Sequence, residues 1–148
     1  ILNDAGRNAS AADVSDRVNR GEQVLSLELV FTGDAAPPKF SYPDHDRMLV
    51  SLGERALGMR VSQLLTISDW MAAQANSRQV RLQAAGMRTQ VAALLAKAIN
   101  PTRFSEVTTR DGITSLNDLI EKPVPYADAP ELFCLDLLKE WDIPANHR

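Results

Sequence analysis

The sequence predicts an α/β fold with a mainly parallel sheet and helices on both faces of that sheet. One observation behind this prediction is the stretch at 23–32, QVLSLELVFT, in which apolar and polar residues alternate as in a strand. A second is the short apolar stretch at 79–84, which leads through a sharp turn into an amphipathic helix at 87–99. Because strands that alternate with helices usually form βαβ units, these segments favour parallel pairing.

The remaining elements follow from apolar periodicity and from helix start and stop signals. Ile1 and Leu2 are typical of the end of a strand, so we expect a single domain, 1–148, that is truncated at its N-terminus. We predict helices at 10–19 with Ser10 as N-cap, at 45–53, at 57–75, at 114–120 with Thr114 as N-cap, and at 132–141, a strand at 104–109, and a proline-containing loop at 35–44.

Composition narrows the class of protein. The chain is 45% hydrophobic and 24% charged, as in ordinary globular proteins. Its net charge is −3 with both signs mixed along the chain, so no nucleic-acid partner is expected. No stretch approaches the ~18 consecutive apolar residues of a membrane-spanning helix, so no membrane association is expected. The single cysteine, Cys134, excludes an intramolecular disulfide, and we expect it to be a small buried apolar residue rather than a zinc ligand.

The turn that follows the 79–84 strand is the first place to look for catalysis. In many α/β enzymes such a turn carries a catalytic serine, with a glycine two positions away on either side. Here the turn is Ala84-Ala85-Gly86-Met87-Arg88, which puts Gly86 in the position of the nucleophile and the bulky Arg88 where a small residue is needed. Glycine has no side chain with which to attack a carbonyl. The hydroxyl of Thr89, three residues beyond the apex, is the alternative nucleophile.

The same turn has two other interpretations. Gly86 can be present for geometry alone, since a strand-to-helix turn often requires a positive φ. Alternatively, Gly86, Met87 and Arg88 can bind an anion, because the N-terminus of a helix presents free N–H groups and Arg88 stands beside them.

Histidines are scarce, which limits the other kinds of chemistry. A serine triad needs a histidine as its base, and the candidates are His45 in the proline-containing region and His147 near the C-terminus. We expect both to be surface residues. The run Asp44-His45-Asp46 has too few ligands for a metal site, so no metal is predicted. No phosphate-binding glycine motif is present, and no cofactor is predicted.

Several longer stretches resemble one family. These are PVPYADAPELFCLDLLKEWDI (123–143), GEQVLSLELVFTGDA (21–35) and GERALGMRVSQLL (53–65), together with the turn at Gly86. Over nearly the whole chain the sequence resembles the C-terminal portion of bacterial α/β-hydrolase-like proteins of the acetyl xylan esterase type. The resemblance implies a partial α/β-hydrolase-like three-layer sandwich and carbohydrate-ester chemistry somewhere in the family.

The catalytic residues of that family do not carry over. The nucleophile position is Gly86, Arg88 replaces the following glycine, and Glu140 stands where related enzymes have a histidine. Asp111, after the 104–109 strand, is a candidate triad acid. We therefore expect a degenerate, non-catalytic domain with a structural or interaction role in a larger protein.

Two alternatives stay open, and they imply different partners. One is an active carbohydrate-ester hydrolase in which Thr89, His147 or a missing segment completes the site. The other is the anion-binding module at Gly86. A small sheet leaves apolar surface and edges that need cover, so we expect the missing part of the parent polypeptide or another copy of the chain as partner. Acetylated polysaccharide would be the ligand of an esterase-like parent, which would then be secreted or periplasmic.

Overall fold

A small parallel sheet and the helices packed against it make up the described part of the chain. The computed structural model describes residues 1–36, 42–77, 79–134 and 136–144. Within them the strands are β1 (Leu2–Asn3), β2 (Val80–Ala85) and β3 (Phe104–Arg110). The helices are α1 (Ala11–Asn19), α2 (Tyr42–Ser51), α3 (Ala56–Gln74), α4 (Met87–Ile99), α5 (Asp118–Glu121) and α6 (Leu137–Glu140), with 3₁₀ turns at Arg7–Ser10, Gly33–Ala35, Tyr126–Asp128 and Pro130–Phe133. The structure is thus of the mixed α/β kind.

The sheet has the order β1-β2-β3, and both pairings are parallel, as predicted. Leu2 lies opposite Ala84, and Leu82 lies opposite Val107. These side chains are buried against α3 and α4 and form the core with Phe104. Alternation along β2 sends Arg81 and Gln83 to the opposite face, which is polar.

Helix α1 contributes polar contacts to this opposite face of the sheet. The guanidinium of Arg17 donates to Gln83 Oε1 at 2.8 Å, and Arg110 forms an ion pair with Asp13 at 2.6 Å. The two faces of the sheet therefore differ, since one is covered by apolar packing and the other is contacted through charged and amide groups.

The strand predicted at 23–32 is wrong. The segment runs beside β1 but pairs with it only through a single parallel bridge between Leu2 and Leu27. Beyond this bridge, the backbone groups of Val30 are bound by side chains from α3 instead of by a neighbouring strand. Val30 N–H donates to Gln63 Oε1 at 3.0 Å, and Arg60 Nε donates to Val30 O at 3.0 Å. The alternating pattern therefore marks a half-buried extended segment without a hydrogen-bonded ladder.

The single helix predicted at 132–141 is also wrong. The chain forms the 3₁₀ turn Pro130–Phe133 and then the short helix α6, and Asp136 between them has φ 63°, which breaks a right-handed helix. Leu135, which was assigned to the predicted helix, lies outside the described residues. The apolar residues of the predicted helix are thus divided, with Leu132 in the core and Leu138 exposed.

The two predicted N-caps differ in their outcome. Ser10 occupies the N-cap position of α1, as predicted, but its side chain makes no capping hydrogen bond. Thr114 caps no helix, because helical geometry begins only at Asp118. Instead, Asp118 Oδ2 accepts hydrogen bonds from the backbone N–H of Thr114 at 2.8 Å and from its hydroxyl at 2.9 Å. Thr114 is therefore a hydrogen-bond donor to Asp118, four residues further along the chain, rather than the cap of a helix.

We predict that Asp118 makes stability depend on acid pH. The hydrogen bonds from the backbone and hydroxyl of Thr114 lower the pKa of Asp118 from 3.8 to about 2. Since the folded-state pKa is depressed, the stabilisation is complete above pH 3.8 and is lost as the pH falls toward 2. The free energy of unfolding, measured in urea across this range, should fall less steeply for Asp118→Asn than for the unsubstituted chain. The control Asp111→Asn, at an exposed site, should keep the original slope, and an unchanged slope in Asp118→Asn would contradict the prediction.

Candidate functional site at the carboxyl ends of β1 and β2

The carboxyl ends of β1 and β2 form the place where an α/β sheet usually binds its ligand. After β1 the chain passes through α1 to the Leu27 bridge on one side, whereas after β2 it passes through α4 to β3 on the other. The strand order therefore reverses between β1 and β2, and ligands in open α/β sheets bind at such a switch point. The two loops that meet there are 4–6, after β1, and 85–88, after β2.

Gly86, at the tip of the second loop, has a backbone conformation that is almost restricted to glycine. Its φ is 99° and its ψ is 156°, a region that L-residues with side chains essentially avoid. An added Cβ would lie 2.7 Å from the Cβ of Asp4 and still closer to its carboxyl group. A serine at this position would therefore require both a new backbone conformation and a displaced Asp4.

The Asp4 carboxylate occupies the N-terminus of α4. Its Oδ2 accepts a hydrogen bond from Arg88 N–H at 3.0 Å, and its Oδ1 accepts one from Thr89 N–H at 2.7 Å. A carboxylate is favoured there because the free N–H groups and the helix dipole attract negative charge. Of the N–H groups that were candidates for binding an external anion, that of Arg88 is thus bonded to the chain's own carboxylate, and that of Gly86 donates to Arg110 O at 2.9 Å.

Thr89, the alternative nucleophile, is buried and its hydroxyl donates to Ala85 O at 2.9 Å. Threonine in a helix often makes this bond to the carbonyl four residues before it. In the described part of the chain this hydroxyl thus donates to a backbone carbonyl rather than to a base that could activate it. The Thr89 hydroxyl thereby provides a hydrogen-bond partner for the carbonyl of Ala85 at the end of β2.

Arg88 turns away from the apex and enters a buried ion-pair cluster. Its Nε donates to Glu131 Oε1 at 2.6 Å, and Arg60 of α3 donates to the same oxygen. Glu131 and Arg60 are 0% exposed, and the side chain of Arg88 is 16% exposed. The guanidinium groups of both arginines also reach Phe31 O at 3.4 Å. This cluster joins α3, α4 and the 130–133 turn, so Arg88 has an internal role.

The other candidates lie apart from the turn or outside the described residues. The Asp111 side chain is 81% exposed, with its Oδ2 3.9 Å from Arg110 Nε. His147 lies outside the described residues. Glu140 is exposed and pairs with Lys139 at 3.1 Å. Met87 is half-buried and packs against the core. The structure therefore does not gather a triad from Thr89, Asp111 and a histidine within its described part.

The residues around His45 are engaged in packing. The His45 ring lies 5.5 Å from the Phe31 ring, Asp46 accepts a hydrogen bond from the Tyr126 hydroxyl at 2.9 Å, and Asp44 pairs with Arg47 at 3.0 Å. Burial raises the pKa of Tyr126, and the hydrogen bond to Asp46 adds to this effect. In the described part of the chain, no group of three or more potential ligands is arranged to hold a metal ion.

Cys134 is half-buried, where the sequence predicted full burial. Its thiol donates to Glu131 O at 2.9 Å, and burial raises its pKa to about 11. The thiolate is the nucleophilic form of cysteine, so this residue is unreactive at neutral pH. It serves as a small packing residue beside the buried cluster.

Sequence reasoning missed both Asp4 and Glu131. Asp4 is an isolated acid in a loop, and its partners lie 84 and 85 residues further along the chain. A useful signal is available in retrospect, because Asp4 directly follows a strand that ends at the switch point. Glu131 lies just before the helix predicted at 132–141, and no spacing rule relates it to Arg60 or Arg88.

Comparison with known proteins provides no family assignment. The chain matches no family model, no curated protein and no solved structure. Among the described helices, none combines the length and the apolar character needed to cross a membrane.

We predict that Gly86→Ala is destabilising because of Asp4. The substitution should lower the free energy of unfolding by at least about 2 kcal/mol, from backbone strain and from the clash with Asp4. In an Asp4→Gly background, which removes the opposing Cβ, the same substitution should cost less by about 1–3 kcal/mol. Denaturant unfolding of the four proteins in this cycle measures the difference.

A matched control separates strain from the clash in this cycle. Gly21 also has a positive φ of 77°, but a Cβ added there has no neighbour within 4 Å. Gly21→Ala should therefore cost only about 1 kcal/mol, the cost of left-handed backbone. An equal cost of Gly86→Ala with and without Asp4 would show that the two residues are not coupled.

Glu131 should be essential for stability. Glu131→Ala leaves the buried Arg60 and the half-buried Arg88 without their carboxylate, and breaking a buried ion pair in this way typically costs about 3–5 kcal/mol. The control Glu121→Ala removes an exposed acid and should change stability by no more than about 0.5 kcal/mol. Denaturant unfolding checks both values, and a Glu131→Ala cost as small as that of the control would refute the role of the cluster.

Proposed function

We propose that the chain is a non-catalytic, α/β-hydrolase-like domain with a structural or interaction role in a larger acetyl xylan esterase-like protein. The observation that carries the proposal is the occupation of the turn after β2 by Asp4. Where a hydrolase needs a serine side chain and free N–H donors, this chain has a glycine and a bound carboxylate.

The arrangement of strands supports the hydrolase-like part of the proposal. In α/β hydrolases the nucleophile lies on a strand-to-helix turn, and one oxyanion-hole N–H comes from the loop after an adjacent strand. Here the turn after β2 faces the loop after β1 in the same way. Together with α1 on one face of the sheet and α3 and α4 on the other, this placement suits part of a three-layer sandwich.

A serine hydrolase without its nucleophile loses almost all of its catalytic rate. Removing a triad nucleophile alone lowers turnover about 10⁶-fold, and what remains comes from the oxyanion hole and from binding. At this turn the N–H groups of Arg88 and Thr89 are bonded to Asp4, so these two donors are not free to stabilise an oxyanion. A carbohydrate-ester activity would therefore belong to another part of the parent polypeptide, which would be secreted or periplasmic if it acts on acetylated polysaccharide.

The direct test is hydrolysis of p-nitrophenyl acetate and of acetylated xylan by the 148-residue chain. We expect rates equal to those of buffer for the chain and for Thr89→Val, which removes the hydroxyl but keeps the shape. We also expect no labelling by a fluorophosphonate probe, which reacts with activated hydroxyl groups. A longer parent polypeptide that hydrolyses either ester, and keeps this activity when Thr89 is replaced, would agree with a scaffold role.

Two results would replace the proposal. Turnover by the chain that Thr89→Val abolishes would make it an active hydrolase. Thermal stabilisation by phosphate that Arg88→Glu removes would make the turn an anion-binding site, with Asp4 displaced by the ligand.

A further inference from the structure

The outer edge of β3 is a long unpaired strand edge in the described structure. β3 pairs with β2 on one side and is the last strand of the sheet on the other. It is seven residues long, and Ser105, Glu106, Thr108 and Arg110 along it are exposed. An edge of this length presents backbone N–H and C=O groups to which another strand can bind.

The charges along this edge are arranged so that it complements itself. Glu106, Thr108 and Arg110 alternate onto one face of β3. If two copies pair antiparallel about a two-fold axis at Thr108, Glu106 of each copy lies opposite Arg110 of the other. Opposite charges in directly facing positions stabilise a pair of strands, and like charges destabilise it.

These charges also distinguish one register from its neighbours. An axis at Glu106 would place the two Glu106 side chains opposite each other, and an axis at Arg110 would do the same for the two arginines. An axis at Val107 would place Arg110 opposite Phe104. The register about Thr108 is therefore the favoured one. In this register the two-fold axis produces two identical ion pairs, each between Glu106 of one copy and Arg110 of the other.

The acid and the base are both available for this contact. Glu106 lies opposite Arg81 in the β2–β3 pairing, but Arg81 forms its ion pair with Glu22 at 2.7 Å, and Glu106 has no ion pair within the described residues. Arg110 contacts Asp13 at 2.6 Å with Nη2, and its Nε lies 3.9 Å from Asp111 Oδ2. A guanidinium carries five N–H donors, so Arg110 can hold a second carboxylate as well.

We propose that β3 is a homodimer interface, in which two copies of the chain join their sheets antiparallel about Thr108 with reciprocal Glu106–Arg110 ion pairs. The partner in the interaction role proposed above would thus be a second copy of the chain, and the dimer rests on that proposed role. Its test reads molecular mass rather than ester hydrolysis, so the two proposals can fail separately. A single strand pair buries little surface, which places the dimer among weak, concentration-dependent complexes.

The test is sedimentation equilibrium of the 148-residue chain from about 1 µM to about 1 mM. The mass should rise with concentration from 16.3 kDa toward twice that value. Glu106→Arg should raise the dissociation constant at least tenfold, because it places arginines opposite each other. The double variant Glu106→Arg with Arg110→Glu reverses both charges and should return the constant to within about threefold of the original.

The controls separate this interface from other causes. Glu121→Arg makes the same charge change at an exposed site on α5 and should leave the dissociation constant unchanged, and far-ultraviolet circular dichroism should show that all variants are folded. A 16.3 kDa monomer at every concentration would overturn the proposal. So would a dimer that is indifferent to Glu106→Arg, or a double variant that fails to restore association.

Discussion

The carboxylate of Asp4 at the N-terminus of α4 is the interaction on which the arrangement of the rest depends. It joins the loop after β1 to the loop after β2, and Asp4 N–H adds a third bond to Ala85 O at 2.9 Å. With the start of α4 fixed in this way, the side chain of Arg88 is directed toward Glu131. Glu131 in turn holds the 130–133 turn against α3 and the loop at 30–31. Arg88 therefore connects the cap of α4 to the interior ion pairs, because its N–H binds Asp4 and its side chain binds Glu131.

Carboxylates recur in this role at the carboxyl end of the sheet. Glu28 accepts from Arg7 N–H at 3.0 Å and from Asp34 N–H at 3.1 Å, in the space between Gly6 and Gly33. Asp142 accepts from Leu116 N–H at 2.7 Å. Loops at this end of an α/β sheet commonly keep N–H groups for ligands. In this chain, the chain's own acidic side chains bind several of them.

How much could be predicted from the sequence depended on how local the signal was. The helix at 87–99 was placed correctly and the strands at 79–84 and 104–109 to within a residue, because each is defined by its own apolar period and its end signals. The segment at 23–32 was misplaced because its pattern indicates burial, whereas its hydrogen bonds come from Gln63 and Arg60, far along the chain. For the same reason the candidate site was predicted only in part: Gly86 was identified from its position, but Asp4 and Glu131 act through contacts across the fold.

The close contact between Gly86 and Asp4 also limits which sequences can be reached from this one by single changes. A serine at position 86 meets Asp4 and a backbone conformation that only glycine adopts readily, so that change alone carries a penalty in folding. If Asp4 is replaced by a smaller residue first, α4 loses its N-terminal cap before a serine hydroxyl is present at position 86. Whichever change comes first, the intermediate sequence is less stable, because it has either a serine that clashes with Asp4 or a helix without its cap. Placing a serine at this turn without a loss of stability therefore requires at least two substitutions, and selection acting on one substitution at a time would tend to retain the glycine–carboxylate pair.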